Sequence, residues 1–144
     1  MRLIIDTHLD LAWNALAWGR DLTAELDDLN AAESHMTDQP SRGRATVSLP
    51  EMRRGGVAVC LATIQARTKA DFYPPGGVCR TALDYPRREM ASAAGRGQLA
   101  YYRLLQHKGQ MRMITTAGQL DRHWQSWQSS EPPGRPVGFI LAME

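Results

Sequence analysis

The run Val57-Ala58-Val59-Cys60-Leu61-Ala62-Thr63-Ile64 limits the fold more than any other stretch. It is apolar on both faces, so neither face can be turned to water. A strand of this kind belongs inside a parallel sheet whose faces are both covered. Parallel neighbours cannot be joined by a tight hairpin. They need long crossover connections, usually helices. The question for the rest of the chain is whether it supplies those crossovers and further strands.

It does, in alternation. A first strand is expected over residues 2–8, led by the apolar Leu3-Ile4-Ile5. Residues 11–16 are apolar and aromatic. Trp13 and Trp18 admit two readings, pocket wall or core, and the core reading is favoured because aromatics dominate core burial. Residues 21–33 are acidic, with Leu22, Leu26 and Leu29 at a spacing that suits a short amphipathic helix or a loop. Residues 35–44 hold Pro40 and Gly43 and read as loop. In Ser48-Leu49-Pro50-Glu51-Met52-Arg53-Arg54-Gly55-Gly56, Ser48 can cap a short helix and Pro50 suits its first turn. The glycine pair then ends the helix and leads into the strand Val57–Ile64.

Residues 67–86 carry Pro74-Pro75, Gly76-Gly77 and Pro86 and read as a long loop of the kind often used as a lid or binding loop. Residues 87–107 form the clearest helix. Met90, Ala93, Ala94, Leu99, Tyr101, Tyr102, Leu104 and Leu105 share one broad face, and His107 and Lys108 suit the dipole at its end. Residues 111–114 are a short extended segment. Thr116 can cap a helix over 117–127, with Leu120, Trp124 and Trp127 on one side. That pattern turns His123 away from the apolar stripe and predicts it exposed. A polar loop over 129–136 precedes a last strand, Val137–Met143, closed by Glu144. Strand, helix, strand, helix, strand predicts an α/β fold with a parallel sheet.

Composition narrows the function class. A net charge of +2 over 144 residues gives no reason to expect nucleic acid or an anionic membrane as partner. Two distant cysteines, Cys60 and Cys79, make no disulfide framework, and Cys60 reads as a buried thiol. No segment approaches the roughly 20 apolar residues of a membrane span, and the N-terminus has no signal-peptide pattern, so a cytoplasmic protein is expected. The last residues read as a buried strand, whereas termini tend to lie at the surface. Residues 1–144 are therefore expected to be the N-terminal part of one longer domain.

The chemistry-bearing stretch is Asp6-Thr7-His8-Leu9-Asp10, at the end of the first strand. On a strand, alternate residues share a face, so these three side chains are expected on one side. An imidazole two residues from a carboxylate on a rigid element is a half-site for a divalent metal such as zinc. An equally ordinary surface pair has the same pattern. His35 and His107 read as solvated, without ligand roles.

Three blocks, in order, resemble the membrane dipeptidase (renal dipeptidase) family of metallopeptidases, most closely its bacterial, unanchored members. Asp6-Thr7-His8-Leu9-Asp10-Leu11-Ala12-Trp13 is similar to the family's metal-binding opening. The segment from Val47 through Leu49-Pro50 to Gly55-Gly56-Val57 is similar to the family's next segment, a Leu-Pro with a basic residue and Gly-Gly-Val leading into the second strand. Phe139-Ile140-Leu141-Ala142-Met143-Glu144 is similar to the strand that ends in a bridging glutamate. The resemblance implies a (β/α)8 TIM-like barrel, incomplete over these residues, with chemistry at the C-terminal ends of the strands. It implies a site with two Zn2+ ions, with His8 and Asp10 ligating one metal and Glu144 bridging both, and Asp6 either supporting the ligands from behind or serving as strand-end structure. The implied reaction is hydrolysis of a dipeptide by a hydroxide generated between the metals. The family completes its site with two histidines and an aspartate further along, which no residue here matches, so residues 1–144 alone are expected to be inactive.

Two other readings stand beside it. One is another two-metal amidohydrolase on the same barrel, against which Asp10 and the Leu-Pro block count. The other is a non-catalytic α/β interaction module. An uncovered apolar sheet edge would let copies of the chain pair, giving a homo-oligomer. Continuation of the reading frame for roughly 150–200 residues, the length a barrel requires, would separate the dipeptidase from the module.

Overall fold

The computed structural model describes residues 2–74, 76–77, 80–129 and 134–144. Cys79, Pro75 and part of the polar loop over 129–136 lie outside the described residues. In chain order the elements are β1 (Ile4–Leu9), α1 (Leu11–Trp18), α2 (Leu26–Glu33), α3 (Leu49–Arg54), β2 (Val57–Ile64), β3 (Arg67–Thr68), β4 (Asp84–Tyr85), α4 (Arg88–His107), β5 (Met111–Met113), α5 (Ala117–Ser129) and β6 (Val137–Met143). The main sheet has the order β1-β2-β6-β5 and all its pairings are parallel. The α/β expectation therefore holds.

Val57–Ile64 lies in the middle of this sheet, as its two-sided apolar pattern requires, and Ala58, Val59, Cys60 and Ala62 are fully buried. The Cys60 thiol is free and buried, and burial pushes its pKa up to about 12. It stays protonated and behaves as a small hydrophobe. β6 runs beside β2 from Val59↔Gly138 to Ile64↔Met143, so the two strands end level. β5 pairs only with the first half of β6, through Met111↔Val137 and Met113↔Phe139. It lies outside the succession β1, β2, β6.

The helices cover part of the sheet, and α4 does so through a narrower face than its periodicity predicts: Met90, Ala93 and Leu104 are exposed, as are Ile4 and Ile5 of β1. α4 buries Ala91, Gln98, Tyr102 and Leu105, spaced at whole turns. Tyr102 is stacked on Phe139 of β6 with ring centroids 5.4 Å apart. α1, for which the sequence suggested only an apolar stretch, buries Leu11, Ala12 and Ala15 against β2 and α4. Ser48 caps α3 by accepting from the Glu51 amide, with Pro50 in the first turn. Gly56 then takes a φ of 76°, a left-handed turn that glycine adopts without strain. Thr116 likewise accepts from the Gln119 amide at the start of α5. The acidic stretch is helical only over its second half, and the long loop contains the two-residue strands β3 and β4, which pair with each other.

His123 corrects an expectation. It is 1% exposed, not solvated. The reason is Gly138: a Cβ there would come within 2.6 Å of His123 Nε2. The missing side chain leaves a slot on β6, the imidazole of α5 fills it, and its Nε2 lies 2.9 Å from the Ala58 carbonyl on β2. His35 and His107 are exposed, as predicted. Among the described residues, no helix is long and apolar enough to cross a membrane.

Candidate metal centre

Parallel strands deliver their C-terminal ends to one rim of the sheet, and three chemistry-bearing side chains meet there. β1 brings His8 and the turn after it brings Asp10. Directly after β6 comes Glu144, whose amide donates to the Ile64 carbonyl at the end of β2 (3.1 Å). That bond carries the ladder one residue past the strand and sets the height of Glu144. His8 Nε2 lies 3.4 Å from Asp10 Oδ2 and 3.7 Å from Glu144 Oε2. One donor atom from each of the three residues falls within 4.8 Å of the other two.

The route by which Asp10 arrives differs from the alternation predicted for it. β1 is irregular between Asp6 and Leu9, and Asp10 has already left the strand, with φ −88° and ψ 49° at the N-cap of α1. Asp6 does not join the cluster. Its Oδ1 accepts the His8 amide at 3.0 Å, so it shapes the strand end. This agrees with the structural role that the resemblance left to it.

Asp10 is unusual for a capping residue. An Asp at an N-cap ordinarily accepts a hydrogen bond from the second or third amide of its helix. Here its side chain makes no cap bond. The Ala12 amide, the second of α1, donates instead to the Tyr102 hydroxyl (3.2 Å). Asp10 Oδ1 is consequently buried with no hydrogen-bond partner among the described residues. Glu144 receives one neutral donor, Gln65 Nε2, at 3.3 Å. Gln65 was not singled out by the sequence, which offers no signal for a polar residue one step past a buried strand.

The donor set fits a divalent cation. Two carboxylates and an imidazole are ligands suited to zinc and similar ions. Two bonds of about 2.1 Å at a tetrahedral angle place donor atoms about 3.4 Å apart, close to the His8 separations. A buried carboxylate oxygen without a partner is costly unless a cation or donor approaches it. Among the described residues no lysine or arginine pairs with Asp10 or Glu144. The geometry brings His8, Asp10 and Glu144 together; it leaves His35, His107 and His123 away from them.

No family model matches the chain, and no curated protein matches it in sequence. A solved structure does match in fold. It is a crystal structure of a protein described as dipeptidase AC, a metallopeptidase. The TM-score is 0.59 at 18% identity, over 99% of this chain and 35% of that one. The chain thus spans about a third of the length of that structure. At this identity the likeness is one of fold.

Proposed function

We propose that this chain carries the first part of a (β/α)8 metallohydrolase domain and that its activity is the metal-dependent hydrolysis of dipeptides. The observation that carries the reading is the convergence of His8, Asp10 and Glu144 on one strand-end rim, with an unpartnered Asp10 oxygen among them. The fold-level likeness to a metallopeptidase, and the three sequence blocks that resemble the membrane dipeptidase family, support the same reading. A divalent ion there supplies Lewis acidity, lowering the pKa of water and polarising a carbonyl. The chain's own contribution is to hold it. His8 offers a ring nitrogen, Asp10 a half-buried carboxylate with one oxygen out of water, and Glu144 an exposed carboxylate with two oxygens, the chemistry a bridge between two Zn2+ ions needs. The main sheet, with β1, β2 and β6 in succession, forms one wall of the site. β5 is an addition beside the lower half of β6, outside the barrel order.

The test joins metal content to turnover. Residues 1–144, dialysed against Zn2+, should retain metal that the His8→Ala and Asp10→Ala variants lose, and should hydrolyse no dipeptide. Any longer product of the same reading frame should hydrolyse dipeptides and stop when a chelator is added. Metal retained by both variants would exclude the ligand set. Chelator-resistant turnover would exclude the mechanism.

A further inference from the structure

We infer that Tyr102 is a positioning residue that frees Asp10 to act as a ligand by taking over its capping duty. The inference rests on the metal-centre reading above. Four observations carry it. Asp10 occupies the N-cap of α1, where its carboxylate would normally accept an amide of the first turn. The Ala12 amide that it would take is bonded to the Tyr102 hydroxyl at 3.2 Å. That hydroxyl in turn donates to the Thr63 carbonyl near the end of β2, at 3.0 Å. Asp10 Oδ1 is left buried and without a partner among the described residues.

The arrangement has a physical logic. A capped carboxylate is turned back on its own helix and its charge is partly spent on an amide. Without a substitute donor–acceptor, the amide would stay orphaned and would draw the carboxylate to it. A tyrosine hydroxyl can accept from the amide and donate to a strand carbonyl at once. Tyr102 is completely buried, so water does not compete for either bond. Its ring, stacked on Phe139, fixes where the hydroxyl sits. The α1 start is thereby tied to β2, and Asp10 faces the rim. Gln98, one turn earlier on α4, does related work beside Glu144: its carboxamide accepts from the Gln65 amide (2.8 Å) and donates to the Gln65 carbonyl (2.7 Å), and Gln65 reaches Glu144.

The experiment uses Tyr102→Phe, which removes the hydroxyl and keeps the ring. Co2+ is titrated into the metal-free protein, and the thermal unfolding of metal-free parent, Tyr102→Phe, Asp10→Ala and the double variant is compared. Tyr102→Phe should weaken Co2+ binding about 10–100-fold, the usual cost of losing a partner behind a ligand. In the stability cycle it should cost little alone, because Asp10 can swing back to cap Ala12. It should cost clearly more in the Asp10→Ala background, where nothing can cap. A purely structural tyrosine gives additive stability losses. Co2+ binding within twofold of the parent, or an additive cycle, overturns the inference while His8-dependent Co2+ binding in the parent keeps the metal reading. Absence of His8-dependent binding in the parent overturns both.

Discussion

Two carboxylate clusters in this molecule are opposite in kind. Glu33 is buried, with a side chain 5% exposed, between two guanidinium groups. Arg20 binds it in a fork at 2.8 and 2.9 Å, Arg42 adds a bond at 2.8 Å, and the Gly43 amide adds another at 3.0 Å. Arg42 forks onto Asp38 with its other edge, and both guanidiniums lie over the Trp18 ring. Two cations thus meet two anions and every oxygen of Glu33 is engaged. At the rim, two carboxylates face one imidazole, and one oxygen is buried with nothing donated to it among the described residues. The Glu33 cluster has neutralised itself and has no use for a ligand. The rim has charge left over, and a cation is the group that would complete it. Saturation marks the Glu33 cluster as structural, and the deficit at the rim is what the proposed metal site rests on.

The sharpest way to break this comparison is to remove one acid from each. Glu33→Ala leaves two buried guanidiniums without their shared anion and should cost about 3–5 kcal/mol by urea unfolding. Glu144→Gln keeps the shape of an exposed side chain and removes a charge that repels Asp10. In metal-free protein it should leave the thermal midpoint unchanged or raise it slightly. Its loss should appear only in metal content, as the bridging role proposed for Glu144 requires. If Glu144→Gln destabilises the metal-free protein as Glu33→Ala does, the rim is a structural cluster too.

A smaller effect separates packing from charge at the opposite end of the sheet. Gly138→Ala should destabilise by about 1–3 kcal/mol, the usual cost of overpacking a core, because the new methyl would meet both His123 and Ile114 at under 3 Å. Metal content should be untouched. A loss below about 0.5 kcal/mol, the range of an ordinary surface change, would mean that the imidazole slot is loose. His123 would then belong with the exposed histidines.

Much of this was legible in the residues. Val57–Ile64 and Val137–Met143 have the observed strand limits because their apolar runs are bounded by glycine, proline and charge. His8, Asp10 and Glu144 were brought together as a set by the family resemblance; the residues alone offered a His8–Asp10 pair and an acid at the end of another apolar run, and a parallel sheet gathers such ends on one rim. Tertiary complementarity was not legible. His123 looked exposed because periodicity counts apolar neighbours on its own helix. The glycine that makes room for it lies on another element, 15 positions later. Tyr102 was counted among apolar residues because its ring is one, and its hydroxyl matters only once α1 and β2 are beside it. Arg20, Glu33 and Arg42 were equally hidden, since a buried ion cluster assembled from a helix and two loops has no sequence period.

The last prediction uses acid to take the Glu33 cluster and the His123 slot apart, in metal-free protein so that ligand loss plays no part. Burial holds the His123 imidazole below its ordinary pKa of 6.5, helped by the charge of Arg112 and opposed by the hydrogen bond to Ala58. The unfolded chain therefore binds a proton at this site before the folded chain does. Stability rises with pH wherever the unfolded state holds more protons, so it should begin to fall as pH drops below about 6.5. Glu33 has the reverse chemistry and the same sign. The Arg20 hydrogen bond, with help from Gly43 and Arg42, brings its carboxyl from 4.5 down to about 2. Its contribution is complete above the unfolded value and is lost only as pH falls from about 4.5 toward 2. Thermal midpoints measured from pH 7.5 to 2.5 should then decline in two stages, the first of them shallow. His123→Gln should flatten the first stage and leave the second, since a carboxamide can still donate to Ala58 and does not titrate. If the decline between pH 6.5 and 5 survives that substitution, His123 is not the group that titrates there.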